Sequence, residues 1–246
     1  MGTAVVITSG KGGTGKTSLT AGLGSCLAAL GRSVLCLDAD IGLRNLDLSL
    51  GLSDRALMDF TDVISGACSL SSAAVGHPQI PGLYLLTAPV RLPRRPIADR
   101  DMSALVAEIK GRFDYCLIDC PAGIGSGFQL AACGADRAIV VSTTDASSLR
   151  DAQRTVGELR QGPAAIHLVV NRVRPRLMRR LHTTIDDAMD IAGLPLLGVV
   201  PEDEAVTLAA NRGIPLVLAS RRGASVAYLR IAKRLMGQRV PMPRLR

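Results

Sequence analysis

The chain has 246 residues, of which 48% are apolar, 20% charged and 2% aromatic, with no Trp. This length and apolar share suit a folded core of one or two domains, not a disordered segment, and the scarcity of aromatics argues against a base-stacking platform for single-stranded nucleic acid. The net charge is +8, yet residues 221–246 hold eight basic side chains and no acid, so the remainder is formally neutral; such an end suits an anionic partner, a membrane surface or a nucleic acid, or else a solvated helix face.

The chain enters a strand-like run, Thr3–Thr8, at once. It shows neither the basic start nor the apolar stretch of a secretory signal, which places the expected location in the cytoplasm. No apolar run approaches the roughly 18 residues of a membrane-spanning helix. The six cysteines, Cys26, Cys36, Cys68, Cys116, Cys120 and Cys133, form no C-x-x-C pair and read as buried free thiols. His77, His167 and His182 are isolated, so no metal centre built on cysteine or histidine is expected.

After Thr8 comes Gly10-Lys11-Gly12-Gly13-Thr14-Gly15-Lys16-Thr17, which fits the phosphate-loop pattern G-x-x-x-x-G-K-[ST]. Its glycines let backbone N–H groups turn toward phosphate oxygens, and the helix that begins at Lys16 adds its positive end. Residues Gly10 to Ser18 are therefore candidate ATP ligands. Lys16 is assigned to the β- and γ-phosphates and the Thr17 hydroxyl to Mg2+. Lys11 fills a position where the pattern accepts any residue. The following helix, Lys16–Leu30, carries Leu19, Leu23, Cys26, Leu27 and Leu30 along one face, and Gly31 stops it.

The next strand, Ser33–Asp38, ends in "DADIGLRNLD". Asp38 and Asp40 lie so close that they need a cation or a water network; near a triphosphate they could orient water around Mg2+ and the attacking water. The alternative is a solvated acidic turn. A strand at Leu83–Thr87 leads to "PVRLPRRPIADRD", read as a surface loop, then to a helix at Asp101–Arg112. Strand Asp114–Asp119 closes on a second acid at its C-terminal end, where parallel sheets bind ligands and where a buried acid is costly unless used. Asp119 is a candidate Mg2+ ligand, or a cap for the next helix. Pro121, Gly123 and Gly125 then form a turn able to sense the γ-phosphate.

Further strands are expected at Ala138–Ser142, Ile166–Asn171 and Leu196–Val200, and helices at Ser147–Arg160, Ile185–Ala192, Glu202–Asn211 and Ala224–Met236. Asn171-Arg172 stands at a strand end, and an Asn amide can pair with N6 and N7 of adenine. "VVPEDE" ends the following strand, so Pro201, Glu202 and Asp203 could line a base pocket with their backbone. The βαβα order predicts an α/β fold: a single-domain, mostly parallel doubly wound sheet of the P-loop NTPase type with helices on both faces. Residues 1–240 would form the ATPase domain and residues 241–246 a short basic tail.

The combination of "KGGTGKT", "DADIGLRNLD" and "DCPAG" resembles the deviant Walker ATPases of the MinD/ParA family. The runs "SSLRDAQR", "NRVRPRLMRR", "IDDAMDIAGLPLLGVVPEDEAV" and "NRGIPLV" place the resemblance on the MinD side, over roughly Met1 to Val240. It implies two ATP-bound subunits facing each other, with Lys11 reaching the partner's phosphates and Asp40 positioning the attacking water. It further implies Asp38 and Asp119 as switch acids near Mg2+, and Asn171 at adenine. Hydrolysis would then break the homodimer. The expected partners are a MinC-like division inhibitor, a MinE-like or other stimulator, and the inner face of the cell membrane; the helix bearing "SSLRDAQR" would lie near the partner-binding surface. Such proteins usually end in an amphipathic helix that enters the bilayer, whereas here "GQRVPMPRLR" follows the last core helix, and Pro241 and Pro243 cannot sit inside a helix. Weak or partner-assisted membrane contact through the basic end is therefore the expectation. A ParA-like protein that binds DNA nonspecifically is the alternative, since it would share the ATPase core. A metal-cluster carrier lacks its C-x-x-C here, and Lys11 and Asp40 argue against a silent ATP-binding scaffold.

Overall fold

Strands of the kind seen at Thr3–Thr8 and Val34–Asp38, apolar on both faces, are stable only when helices cover the sheet on both sides. The computed structural model describes residues 1–93, 95–159 and 162–242 and shows this layering. In chain order the elements are β1 (Thr3–Thr8), α1 (Lys16–Ala29), β2 (Val34–Asp38), α2 (Leu46–Leu50), α3 (Phe60–Ile64), α4 (Leu70–Ala73), β3 (Val75–Gly76), β4 (Leu83–Leu86), α5 (Asp99–Arg112) and β5 (Tyr115–Asp119). They continue with α6 (Ser126–Ala132), β6 (Arg137–Ser142), α7 (Ala146–Leu159), β7 (Ala165–Val173), α8 (Pro175–Leu181), α9 (Ile185–Ala192), β8 (Leu196–Pro201), α10 (Glu204–Asn211), α11 (Leu216–Ala219) and α12 (Ala224–Leu235).

The strands form one sheet in the order β3-β4-β2-β5-β1-β6-β7-β8. All neighbours are parallel except β3, which runs antiparallel to β4 at one edge. The order reverses direction at β1, and there the carboxyl ends of β1, β2 and β5 open together, the place where such sheets bind ligands. Register sets this rim: Asp38 of β2 and Ile7 of β1 both lie opposite Asp119 of β5.

Two apolar layers flank the sheet. One packs α5, α7 and α9 through residues such as Met102, Val106, Leu149 and Ala188. The other packs α1, α2 and α12 through Leu19, Leu23, Leu46, Tyr228 and Ile231. The single apolar face expected of α1 is too narrow a description, because the helix is buried on nearly every side from Leu19 to Ala28. The reason is α12, which lays the Tyr228 ring across Gly22; a Cβ at Gly22 would stand 2.2 Å from that ring. On the sheet side, a Cβ at Gly24 would meet Cys36 Sγ at 2.4 Å.

Element ends differ from the sequence expectation for local reasons. β7 extends through Arg172 to Val173, with an irregular register against β8 after Val170 and a positive φ of 54° at Arg172. α10 starts at Glu204 because Asp203 caps it, its Oδ1 accepting the Ala205 amide at 2.9 Å. The short helices α2, α3, α4, α6, α8 and α11 were not foreseen, since helices of four to seven residues are too short to show a period. Cys26, Cys36, Cys116 and Cys120 are buried free thiols, whereas Cys68 and Cys133 are only partly buried. Beyond α12, Arg234 donates from Nε to the Val240 carbonyl (3.0 Å) and from Nη2 to that of Pro241 (2.9 Å), folding this segment against the helix end. Arg160 and the tail residues Pro243 to Arg246 lie outside the described residues.

Candidate functional site

β1 delivers the chain to the sheet rim at Thr8, and the loop that follows can fold back on α1 only through glycine. Gly13 and Gly15 have φ of 78° and 90°, the left-handed region that favours glycine. A Cβ at Gly15 would also stand 2.3 Å from the Asn171 amide nitrogen, and one at Gly10 would meet the Asp151 backbone of α7 at 2.4 Å. The loop is thus pinned between β7 and α7. Lys16, the first residue of α1, is buried and arches back over the loop, donating from Nζ to Ser9 Oγ at 3.0 Å. Ser9 Oγ in turn donates to the Lys11 carbonyl at 2.7 Å.

Whether this loop suits a phosphate chain can be tested on its own polar groups. The Thr14 hydroxyl is buried in the loop without a hydrogen-bond partner. A buried polar group of this kind is destabilising unless a ligand or water satisfies it. Nothing stands within 4 Å of a Cβ built on Gly13, so the loop is open on that side. The positive end of α1 faces the same space.

Two buried acids stand beside the loop. Asp38 Oδ1 accepts the Asp40 amide at 2.9 Å and Oδ2 the Leu46 amide at 3.1 Å. Burial pushes the Asp38 carboxyl up to about 6 even so. Asp119 lies on the neighbouring strand with Thr20 Oγ1 at 3.2 Å from Oδ1. Burial pushes it up to about 7, the Asp38 charge acts in the same direction, and the Thr17 hydroxyl, Lys16 and Thr20 offset this only in part. Asp40 is half-buried at the rim; burial raises its pKa, against the pull of Lys16. A divalent cation would relieve this pair. The oxygens of Thr17, Asp38 and Asp119 are a hard donor set of the kind Mg2+ takes. Among the described residues no three Asp, Glu, His or Cys side chains gather into a metal cluster. A cation here would thus depend on phosphate oxygens and water to complete its shell.

On the other side of the loop, Gly13, Gly15, Ser18, Asn171, Arg172, Pro201, Glu202 and Asp203 line one cavity of about 250 Å³ with Tyr228 at its base. Asn171 is buried, and its Nδ2 donates to the Thr14 carbonyl at 2.7 Å, tying β7 to the loop and leaving Oδ1 and one amide hydrogen for a base. Arg172 spans the cavity mouth: Nη1 donates to the Gly13 carbonyl at 3.2 Å and Nη2 lies 3.3 Å from Glu202 Oε1. Arg174 joins Glu202 as well, from Nη2 to Oε1 at 2.9 Å. Asp203 holds the cavity wall to α12, its Oδ2 accepting the Ala224 amide at 2.9 Å. The structure thus brings Lys16, Thr17, Asp38, Asp40 and Asp119 together on one side of the loop and Asn171, Arg172, Pro201, Glu202 and Asp203 on the other, with one charged candidate apart.

The exception is Lys11. Its Nζ turns away from Lys16, donating to Asp145 Oδ1 at 2.9 Å and Ser147 Oγ at 3.0 Å at the start of α7. Partial burial would raise the Asp145 pKa, but donors from Thr143, Lys11, Ser147 and the Ser148 amide outweigh it and hold the carboxyl well below the usual range. Sequence reasoning missed Asp145 and Ser147. The only signal they carry is that of a helix cap, and Asp145 does accept the Ser148 amide at 3.1 Å; nothing local says that a lysine 134 residues away shares it. Thr20, Val206, Thr207 and Tyr228 were missed for the same reason, being brought in by packing.

Comparison with known proteins gives a consistent result. The profile of the CobQ/CobB/MinD/ParA nucleotide binding domain matches residues 5–216. The septum site-determining protein MinD of Bacillus subtilis (strain 168) is 44% identical over 246 residues, covering 98% of this chain and 92% of its own. A chain of the MinC:MinD cell division protein complex of Aquifex aeolicus superposes with a TM-score of 0.92 at 40% identity, covering 99% of both chains. The septum site-determining protein MinD of Pyrococcus horikoshii OT3, solved complexed with Mg-ADP, superposes with a TM-score of 0.84 at 31% identity, covering 96% of both.

Proposed function

The chain belongs to the CobQ/CobB/MinD/ParA nucleotide-binding family, and on that premise we propose that it is a MinD-type ATPase, a switch that dimerises on ATP and helps place the division septum. The dimer recruits a MinC-like division inhibitor, and a MinE-like or other stimulator accelerates the return to monomers. The observation that carries this reading is Lys11. It is a cation in the phosphate loop that its own loop does not use, held in reserve by Asp145 and Ser147.

ATP binds with its phosphates in the loop Gly10 to Ser18 and its base in the cavity of Asn171, Arg172, Pro201, Glu202 and Asp203. Lys16 leaves Ser9 and takes the β- and γ-phosphates. Thr17, Asp38 and Asp119 would hold Mg2+, directly or through water, and bound there it would supply neutralisation of the charge that develops on the phosphate oxygens. Asp40 orients the attacking water at the rim. Lys11 crosses to the γ-phosphate of the facing subunit, so that the charge needed for hydrolysis arrives only with the partner, as an arginine finger does in trans. Loss of the γ-phosphate then removes the anchor of that lysine, and the dimer opens.

No helix among the described residues is long and apolar enough to cross a membrane. We place the protein in the cytoplasm and, when dimeric, at the inner face of the cell membrane through weak contacts of its basic C-terminal end, which dimerisation doubles. A ParA-like role on DNA rests only on that same basic end.

The test is particle mass by size-exclusion chromatography with light scattering, in ATP and in ADP. Wild type should be dimeric in ATP and monomeric in ADP. Lys11→Ala should bind ATP with unchanged affinity yet stay monomeric and lose turnover by a hundredfold or more, the range of a missing trans cation. Normal dimerisation and turnover in the Lys11→Ala protein would sink the switch reading.

A further inference from the structure

α8 follows β7 directly, and all but Met178 and Pro175 of its residues are exposed. Between residues 172 and 182 the sequence carries five arginines, a histidine and no acid. Pro175 at the first turn fixes its direction, and Met178 is the one side chain of the helix that is buried. Around the helix from Met178, with Pro175 half-buried beside it, the exposed residues divide in two: Arg179, Arg176 and Arg180 occupy one half of the outer arc, and Leu177 and Leu181 the other. The leucines are 38% and 57% exposed. Arg172 and Arg174 share Glu202. Arg176, Arg179 and Arg180 pair with no carboxylate among the described residues. Helix-end electrostatics account for Arg179 and Arg180 in the last turn; they do not account for Arg176 or for two adjoining exposed leucines.

We propose that this outer face of α8 is a contact for an anionic lipid bilayer, separate from the C-terminal end. Two features choose lipid over other polyanions. Leucine side chains gain nothing from a phosphate backbone, whereas at a bilayer they enter the acyl boundary while flanking arginines extend to the headgroups. The stretch also contains no Phe, Tyr or Trp on which a base could stack. The hollow on this face is lined by Arg174, Pro175, Arg176, Leu177 and Arg180, all from α8 and the residue that precedes it, so it is not a cleft between two elements. The patch adds a second foothold to the weak one at the C-terminal end, and each ATP-driven dimer would present it twice.

The test is co-sedimentation of the full chain with vesicles of mixed phosphatidylglycerol and phosphatidylcholine, in ADP and in ATP, with pure phosphatidylcholine as the uncharged control. The triple variant Arg176→Gln/Arg179→Gln/Arg180→Gln should partition about a hundredfold more weakly onto the anionic vesicles, and Leu177→Ser/Leu181→Ser about tenfold more weakly. Arg239→Gln, in the C-terminal segment, should leave the α8 contribution in place. Melting temperature and ATP-dependent dimerisation, measured on the same samples, separate this result from misfolding and from failure of the switch. Unchanged vesicle binding in the triple variant overturns the proposal. So does a leucine variant that binds vesicles like wild type while the arginine variant loses vesicles and duplex DNA equally, which would identify a general phosphate contact.

Discussion

Lys11 and Asp145 meet where both are partly exposed, at 36% and 53% of their side-chain surface, and ion pairs of that kind contribute only about 0.2–1 kcal/mol. The contact can therefore hold Lys11 without locking it, and the proposed switch needs a partner's triphosphate to outcompete it. Asp145→Asn keeps a hydrogen-bond acceptor for the Ser148 amide and removes the charge. The protein concentration for half-dimerisation in ATP should then fall about two- to fivefold, measurable by sedimentation velocity, while the melting temperature barely moves. A weaker dimer in this variant would mean that Asp145 serves the interface instead of restraining the lysine. The buried acids make a second prediction at this scale. Asp38 and Asp119 have folded values of about 6 and about 7 against an ordinary 3.8. The native state therefore binds more protons than the unfolded one between pH ~4 and ~7. Stability of the nucleotide-free protein should fall as pH rises through that window, by on the order of a few kcal/mol. In Asp119→Asn the slope should flatten, as followed by urea denaturation across pH; an unchanged slope would place the titrating groups elsewhere.

α1 shows how an element can be readable in sequence while its environment is not. Its start at Lys16, its length and its stop before Gly31 follow from the phosphate loop and from helix punctuation. Of the five apolar positions that suggest one buried face, Leu19, Leu23, Cys26 and Leu27 are buried, while Leu30 caps the helix end and is only partly so. What they cannot show is α12, whose Tyr228 ring occupies the space above Gly22 and whose first amide is held by Asp203 at the cavity beside Asn171. Gly22→Ala tests that packing. Alanine gains about 1 kcal/mol in helix propensity, but its Cβ would stand 2.2 Å from the Tyr228 ring, and overpacking of this kind costs about 1–3 kcal/mol. The clash should prevail, so a lowered melting temperature is expected, with a raised KM for ATP as Tyr228 shifts at the cavity base. A more stable Gly22→Ala protein would show that α12 can move away freely.

At the scale of the molecule, the proposed switch divides its charges between two copies. Lys16, Thr17, Asp38, Asp40 and Asp119 converge at one rim, and Lys11 is turned away from it. Turnover per molecule should rise with protein concentration and level off once the dimer is saturated; a rate independent of concentration would mean that a single subunit completes its own site. Much of this was legible beforehand. The phosphate loop, the strand-end acids, Asn171-Arg172 and the parallel α/β order are local patterns, because a loop that wraps phosphate needs its glycines adjacent and a strand buried on both faces needs a continuous apolar run. The sequence by itself thus determined the main strands and long helices, their order, and the loop and strand-end residues proposed to meet the nucleotide. Only the tertiary structure decided that Asp38 and Asp119 stand side by side, that Lys11 pairs with Asp145, that Tyr228 lines the cavity beside Asn171, and that three arginines and two leucines share the outer arc of a seven-residue helix. These are contacts across strand register and helix packing, and no periodicity along the chain encodes which distant side chain will arrive at a given point in space.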